Sequence, residues 1–143
     1  MSALPADIQA LDSGQFPGWQ RTGRTFKAFP NAAAGASPVG RFYLPLPFGD
    51  SHFYSASAVE CAQVLQKYPG FVYESASVMY LGMPDAASGA CASGMIPVYR
   101  VWDKRVDTNH RYTTDRTLRD QMAAQGWVKE GYGDDAVIMC APQ

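Results

Sequence analysis

The chain has 143 residues, 47% of them hydrophobic and 13% aromatic, which is one domain's worth of sequence with enough apolar mass for a core and nothing of a disordered composition. A net charge of -1 with 17% charged residues leaves no basic footprint, so nucleic acid and insertion into an anionic membrane are set aside. No run reaches the ~20 apolar residues of a membrane helix, and Met1 to Gly14 lacks the basic and apolar regions of a signal peptide.

Leu4, Ile8 and Leu11 form an i, i+4, i+7 stripe, with Pro5 suited to a first helical turn and Gly14 to the helix end. Trp19 to Thr22 and Thr25 to Phe29 read as a hairpin about Gly23-Arg24, and Pro30 to Pro38 as a surface linker. A strand follows through Arg41 to Tyr43, then a Pro-rich loop, then a strand from Ser51. Ser57-Ala58-Val59-Glu60 is a capping box opening a helix whose Cys61, Val64, Leu65 and Tyr68 recur at helical spacing until Pro69-Gly70. Phe71 to Glu74 and Val78 to Leu81 read as a second hairpin, and Gly82 to Met95 as the longest loop. Strands through Val98 to Trp102 and His110 to Thr113 come next. A helix capped by Thr114 or Asp115 turns Leu118 and Met122 inward and Arg119 outward, and strands at Trp127 to Glu130 and Ala136 to Cys140 finish the chain.

These elements repeat. Val39-Gly40-Arg41, His52-Phe53-Tyr54 and Gly70 to Ser75 recur in order and spacing as Val98-Tyr99-Arg100, His110-Arg111-Tyr112 and Gly126 to Gly131. Ser2 to Ile8 aligns with Ser55 to Cys61, and Gly18 to Gly23 with Gly70 to Ser75, so the start of the chain matches only the second half of a unit. The expected fold is α+β: a single repeat-built domain over 1-143, with a partial repeat at 1-30 and repeats at 39-82 and 97-142. About three strand-strand-helix-strand-strand units would stand around a pseudo-threefold axis, the first incomplete. The half-unit reads as a fragment of a longer chain, or else as one completed by a partner or parent chain that adds strands to an open edge.

Period two along a strand puts His52 with Tyr54, and His110 with Tyr112, on one cleft face, while Phe53 and Arg111 take the other, exposed at least in the last unit. Arg41 with Glu74, and Arg100 with Glu130, read as structural ion pairs inside each unit. The same face offers rings and directional hydrogen bonds. Tyr43, Asp50, His52 and Tyr54 in one unit, and Trp102, Asn109, His110, Tyr112 and Trp127 in the other, are the candidate ligand-binding residues, because rings bury the aliphatic face of a pyranose while polar groups take its hydroxyls. Each unit supplies too few ligands for a metal, and no catalytic triad or cofactor signature is present. Three cysteines permit one intrachain disulfide, expected between Cys61 and Cys91.

The strings Val98-Tyr99-Arg100, His110 to Thr114, Trp127 to Gly131 and Ser51 to Ser55 resemble a repeat family of unknown function from secreted bacterial and fungal proteins. Its units look like Tyr-Arg-x-Tyr-Asn, Asp-His-Phe-Tyr-Thr-Thr and Gly-Tyr-x-x-Glu-Gly. The resemblance implies an extracellular module appended to hydrolases, adhesins or other surface proteins, and no established activity. Related copies often carry Cys where Gly40 stands, bonded to the equivalent of Cys140; on that pattern this chain has lost the bond and leaves Cys140 free. Arg111 in place of Phe, and Asn109 in place of Asp, also depart from it.

The expected function is therefore a non-catalytic, secreted or cell-surface accessory module of a longer protein that binds a polysaccharide or cell-surface glycan and uses no cofactor. The competing expectation is a structural or protein-interaction domain whose open edge pairs with a partner chain.

Overall fold

A computed structural model describes residue 1, residues 4–18 and residues 21–143. It is a mixed α+β structure of three helices, α1 (Pro5–Asp12), α2 (Ala58–Lys67) and α3 (Arg116–Ala124), and two antiparallel sheets. The larger sheet has the order β1 (Ala36–Pro38), β5 (Tyr80–Gly82), β9 (Val137–Pro142), β6 (Met95–Trp102), β7 (His110–Thr113), with β8 (Val128–Glu130) also on β6. In the smaller one, β2 (Gly40–Leu44) lies between β3 (Ser51–Ser55) and β4 (Val72–Ser75).

Two halves of the chain share one pairing scheme. β1 and β2 continue one another through Val39, whose N–H donates to the Met79 carbonyl at 2.9 Å and whose carbonyl accepts from Val78 at 3.0 Å. The stretch thus pairs with β5 early and with β3 and β4 late, just as β6 pairs early with β9 and late with β7 and β8. Arg41 stands opposite Tyr54, and Arg100 opposite Tyr112. The order strand-strand-helix-strand-strand occurs twice, from Gly40 to Gly82 and from Met95 to Pro142.

The main core lies where these halves meet, around Val39, Tyr54, Leu81, Val98, Ile138 and Met139. A second cluster, Phe42, Leu44, Phe53 and Val64, seals α2 onto the smaller sheet. Burying such side chains is the main force holding each helix to its sheet, at about 1.5–3 kcal/mol each. Side chains begin α2 and α3: Ser57 accepts from the Glu60 N–H at 3.2 Å and Asp115 from the Leu118 N–H at 3.0 Å.

Four expectations are corrected. Residues 21–28 form no strand, and this segment joins the sheet only where Phe29 bridges Tyr80; Trp19, at the start of the expected hairpin, lies outside the described residues. Leu65 faces solvent, 47% exposed, because α2 buries only the Cys61 and Val64 edge. Arg119 points inward and is 2% exposed: its guanidinium lies 4.4 Å from the Tyr99 ring centre and donates to the Asp135 carbonyl and the Asp120 carboxylate.

The disulfide joins Cys91 to Cys140, with Cα atoms 5.7 Å apart, and Cys61 is the free thiol. Cys140 is fully buried on β9, where the loop before β6 folds over it and delivers Cys91. Cys61 sits elsewhere, on α2, 3.7 Å from the Ser55 carbonyl. A Cβ at Gly40 would lie 3.0 Å from the Cys61 sulfur, so Gly40 faces Cys61, and Cys140 is not left free.

Candidate functional site

Where two halves abut, one arginine clasps two acids. Arg100, on β6, donates from Nε to Glu130 of β8 at 2.9 Å. It donates from Nη2 and Nη1 to Glu60 of α2 at 2.6 and 3.0 Å. Its side chain is 3% exposed, and the guanidinium lies 4.6 Å from the Phe53 ring centre. The earlier junction has the same plan: Arg41 is 2.8 Å from Glu74 of β4 and 2.6 Å from Asp7 of α1. The Arg41 Nε contact with Glu74 is ionic, its N–H being misaligned for a hydrogen bond.

The two tyrosines of the repeated face lock the same junctions. The Tyr112 hydroxyl donates to the Tyr54 carbonyl at 2.9 Å and accepts from the Tyr54 N–H at 2.8 Å. The Tyr54 hydroxyl takes the same position on Met1, accepting from its nitrogen and donating to its carbonyl. Burial pushes both phenols above their ordinary range. Tyr54 is 3% exposed, and both hydroxyls are spent on backbone groups, of Met1 for Tyr54 and of Tyr54 for Tyr112.

His52 and His110 are equivalent. His52 Nε2 is 3.2 Å from Glu74, with the Tyr43 ring at 5.4 Å. His110 Nε2 is 3.6 Å from Glu130, edge-on to Phe53 and parallel to Trp102 at 6.5 Å. Burial first, then the Arg100 charge, pushes His110 down to about 4, so it is neutral at neutral pH. Burial also lowers His52. Burial alone would raise the Glu60 carboxyl, but the hydrogen bonds and charge of Arg100 hold it below the usual range. At Glu130 burial wins over Arg100, and its carboxyl is raised.

Beside this clasp lies a cleft of about 410 Å³ between α2 and the strands of the last unit. Phe48, Phe53, Tyr68, Phe71 and Trp102 wall it, and Glu60, Gln63, Lys67, Arg100, Arg105, Thr108, His110 and Glu130 supply its polar lining. Tyr68 stacks on Phe71 at 4.9 Å, and Phe48 meets Phe71 edge-on at 5.5 Å. At the mouth two loops touch: Gly49, at φ 122°, packs on the Thr108 backbone so closely that a Cβ would lie 2.4 Å from its carbonyl oxygen. A smaller hollow of about 390 Å³, lined by Ser57, Tyr132 and Ile138 among others, lies across the Arg100–Glu60 pair.

Of the candidate ligand-binding residues, the cleft gathers only His110 and Trp102; it also holds Arg100 and Glu130 of the expected ion pair. Tyr43, Asp50 and His52 cluster at the earlier junction, where the Tyr43 hydroxyl donates to Asp50 at 2.6 Å. Trp102 Nε1 makes the matching bond to Thr108. Asn109 is bound through its backbone N–H to Asp103, and Trp127 follows α3, outside the cleft. Sequence reasoning missed Phe48, Gln63, Tyr68 and Phe71 as lining, and took Glu60 for a capping acid only. The alignment of Asp7 with Glu60 was the available signal, since both positions clasp the arginine of the unit that follows.

Fold and site together define an α+β protein built from interlocked, like-patterned halves with a cleft at their junction. The chain belongs to the DUF5648 family, described as a domain of unknown function, whose model matches residues 6–136. No curated protein and no solved structure matches it.

Proposed function

We propose that this chain is a non-catalytic extracellular accessory module that binds carbohydrate in the cleft between α2 and β6, β7 and β8. The observation that carries this reading is the lining itself: five aromatic rings at the walls and carboxylate, amide, imidazole, ammonium and guanidinium groups among them, in a volume suited to one or two sugar rings. The binding face moves accordingly from Tyr54 and Tyr112, which hold the halves together, to Phe71, Tyr68 and Trp102. The Cys91–Cys140 bond supports an oxidising, extracellular setting. The recurrence of the tyrosine and arginine clasps at Met1/Tyr54 and Tyr54/Tyr112 supports a pseudo-threefold arrangement of related units.

The test is a glycan array probed with the intact chain and with Phe71→Ala. Binding of a polysaccharide class that Phe71→Ala abolishes, measured well below the melting temperature of the variant, supports the reading. Retention of all array signals by Phe71→Ala would remove the cleft from it. The competing interaction reading draws on β4, an outer strand of the smaller sheet with Val72 50% and Tyr73 39% exposed, whose free edge suits strand addition. A concentration-dependent dimer that a β4 proline variant abolishes would favour it.

A further inference from the structure

The cleft is charged unevenly along α2. Three cations line it, Lys67, Arg100 and Arg105, against two carboxylates, Glu60 and Glu130, so its net charge is positive although the whole chain carries -1. The Arg100 guanidinium fills the space between Glu60 and Glu130 and spends its N–H groups on them and on the Tyr54 carbonyl. That end is therefore closed to a charged ligand. The two acid side chains are 27% and 26% exposed, and their remaining lone pairs can accept from hydroxyl donors.

Lys67 stands at the other end. Glu60, Val64 and Lys67 are spaced i, i+4, i+7 on α2, so they share one helix face, and a rise of about 1.5 Å per residue sets the lysine about 10 Å along the axis from Glu60. The Lys67 Nζ lies 5.4 Å from the ring centre of Tyr68, which stacks on Phe71. Among the described residues, Lys67 is the lining cation with no carboxylate partner. Arg105 is paired to Asp107 and lies 3.8 Å from Asp103. Arg105 and Asp107 are 64% and 55% exposed, so water screens their pair and the guanidinium stays open to a second anion. An anion at this end meets the Lys67 ammonium without first breaking an ion pair.

A ligand that answers this lining has a flat apolar face, a negative charge at one end and hydroxyls at the other. We propose that the cleft takes an anionic sugar unit of an acidic polysaccharide, a uronate or a sulfate ester. Its anion lies on the Lys67 ammonium, its ring face on Tyr68 or Phe71, and the hydroxyls of the adjoining unit on Gln63 and Glu60. Gln63, three residues on from Glu60 along the same helix face, offers those hydroxyls both an amide N–H and a carbonyl. A neutral sugar would leave the ammonium unanswered, and a cationic one would be repelled by it. This inference rests on the carbohydrate reading of the cleft and narrows it to one class.

The experiment is calorimetric titration of the intact chain, at low ionic strength, with a galacturonate hexamer, its neutral methyl-esterified counterpart and a galactose hexamer bearing sulfate esters. The expected result is binding of at least one anionic hexamer about tenfold or more tighter than the methyl ester, and the tighter of the two identifies the anion. Lys67 is exposed, so Lys67→Gln should abolish that preference at an unchanged melting temperature, while Lys67→Arg, which keeps the charge, should retain it. Lys27→Gln removes the same charge outside the cleft and should also retain it. Equal affinities for the three hexamers would overturn the anionic-sugar inference and leave the carbohydrate reading standing. No binding of any of them would count against both. A preference that survives Lys67→Gln, or that Lys27→Gln removes as fully, would mark attraction to the surface outside the cleft and would also overturn the inference.

Discussion

His110 is the residue whose placement has the plainest thermodynamic consequence. It titrates near its ordinary 6.5 when unfolded and at about 4 when folded, so the unfolded chain binds the proton first as pH falls. Stability is therefore full above pH 6.5 and is lost as pH drops toward 4. The loss from this group is about 2 kcal/mol by pH 5 and about 3 kcal/mol by pH 4. Burial lowers His52 too, so its contribution has the same sign. Urea unfolding at pH 7.5, 6 and 5 should show the decline, and His110→Gln should flatten it; an unchanged slope in that variant would reassign the effect. Arg100 is the second such residue. Arg100→Ala leaves Glu60 and Glu130 facing one another without their shared counter-charge, and should cost about 3–5 kcal/mol in the same assay. Arg41→Ala should cost less, because its side chain is 19% exposed against 3% for Arg100 and water compensates the acids left behind.

At the scale of elements, the disulfide and the loop contacts decide how the strands stay in register. Cys91 and Cys140 are 49 residues apart, and closing a loop of that length removes enough unfolded-chain entropy to stabilise the fold by about 4 kcal/mol in the chain-entropy description. The double variant Cys91→Ser, Cys140→Ser should lose about that much. Thiol titration of the denatured, unreduced wild type should find a single reactive group, Cys61. Gly49→Ala places a methyl group into the Thr108 backbone at a left-handed φ and should push the β2–β3 loop off the cleft mouth. Much of this level was legible in the sequence. The repeat spacing located the two strand-strand-helix-strand-strand runs, Ser57 marked one helix start and Thr114 or Asp115 the other, of which Asp115 is the cap, and period two placed Arg111 outside. What failed did so where tertiary contact overrides local pattern. Arg119 reads as a surface residue until the Tyr99 ring and the Asp135 carbonyl receive it, and the disulfide follows from how the loop of residues 83–94 folds over β9, which no spacing of cysteines reveals.

For the whole molecule, the repeat makes a junction each time it recurs, and the junctions carry both the interlock and the cleft. The candidate site was legible only in part. His110 and Trp102 stood out because they recur in type and position, but Tyr54 and Tyr112 also serve the structure, the Tyr54 hydroxyl clasping the Met1 backbone and the Tyr112 hydroxyl the Tyr54 backbone. Phe48 belongs to a loop, and Tyr68 and Phe71 to the turn between α2 and β4, and only the docking of one half on the other brings them to Trp102. The most direct measurement of the central claim is the set of backbone amide shifts on titrating the isotope-labelled chain with the tightest-binding glycan from the array. The account predicts shifts concentrated at Phe48, Gln63, Tyr68, Phe71 and Trp102. Shifts confined to Val72 to Ser75, or scattered with no cluster at the cleft, would contradict it.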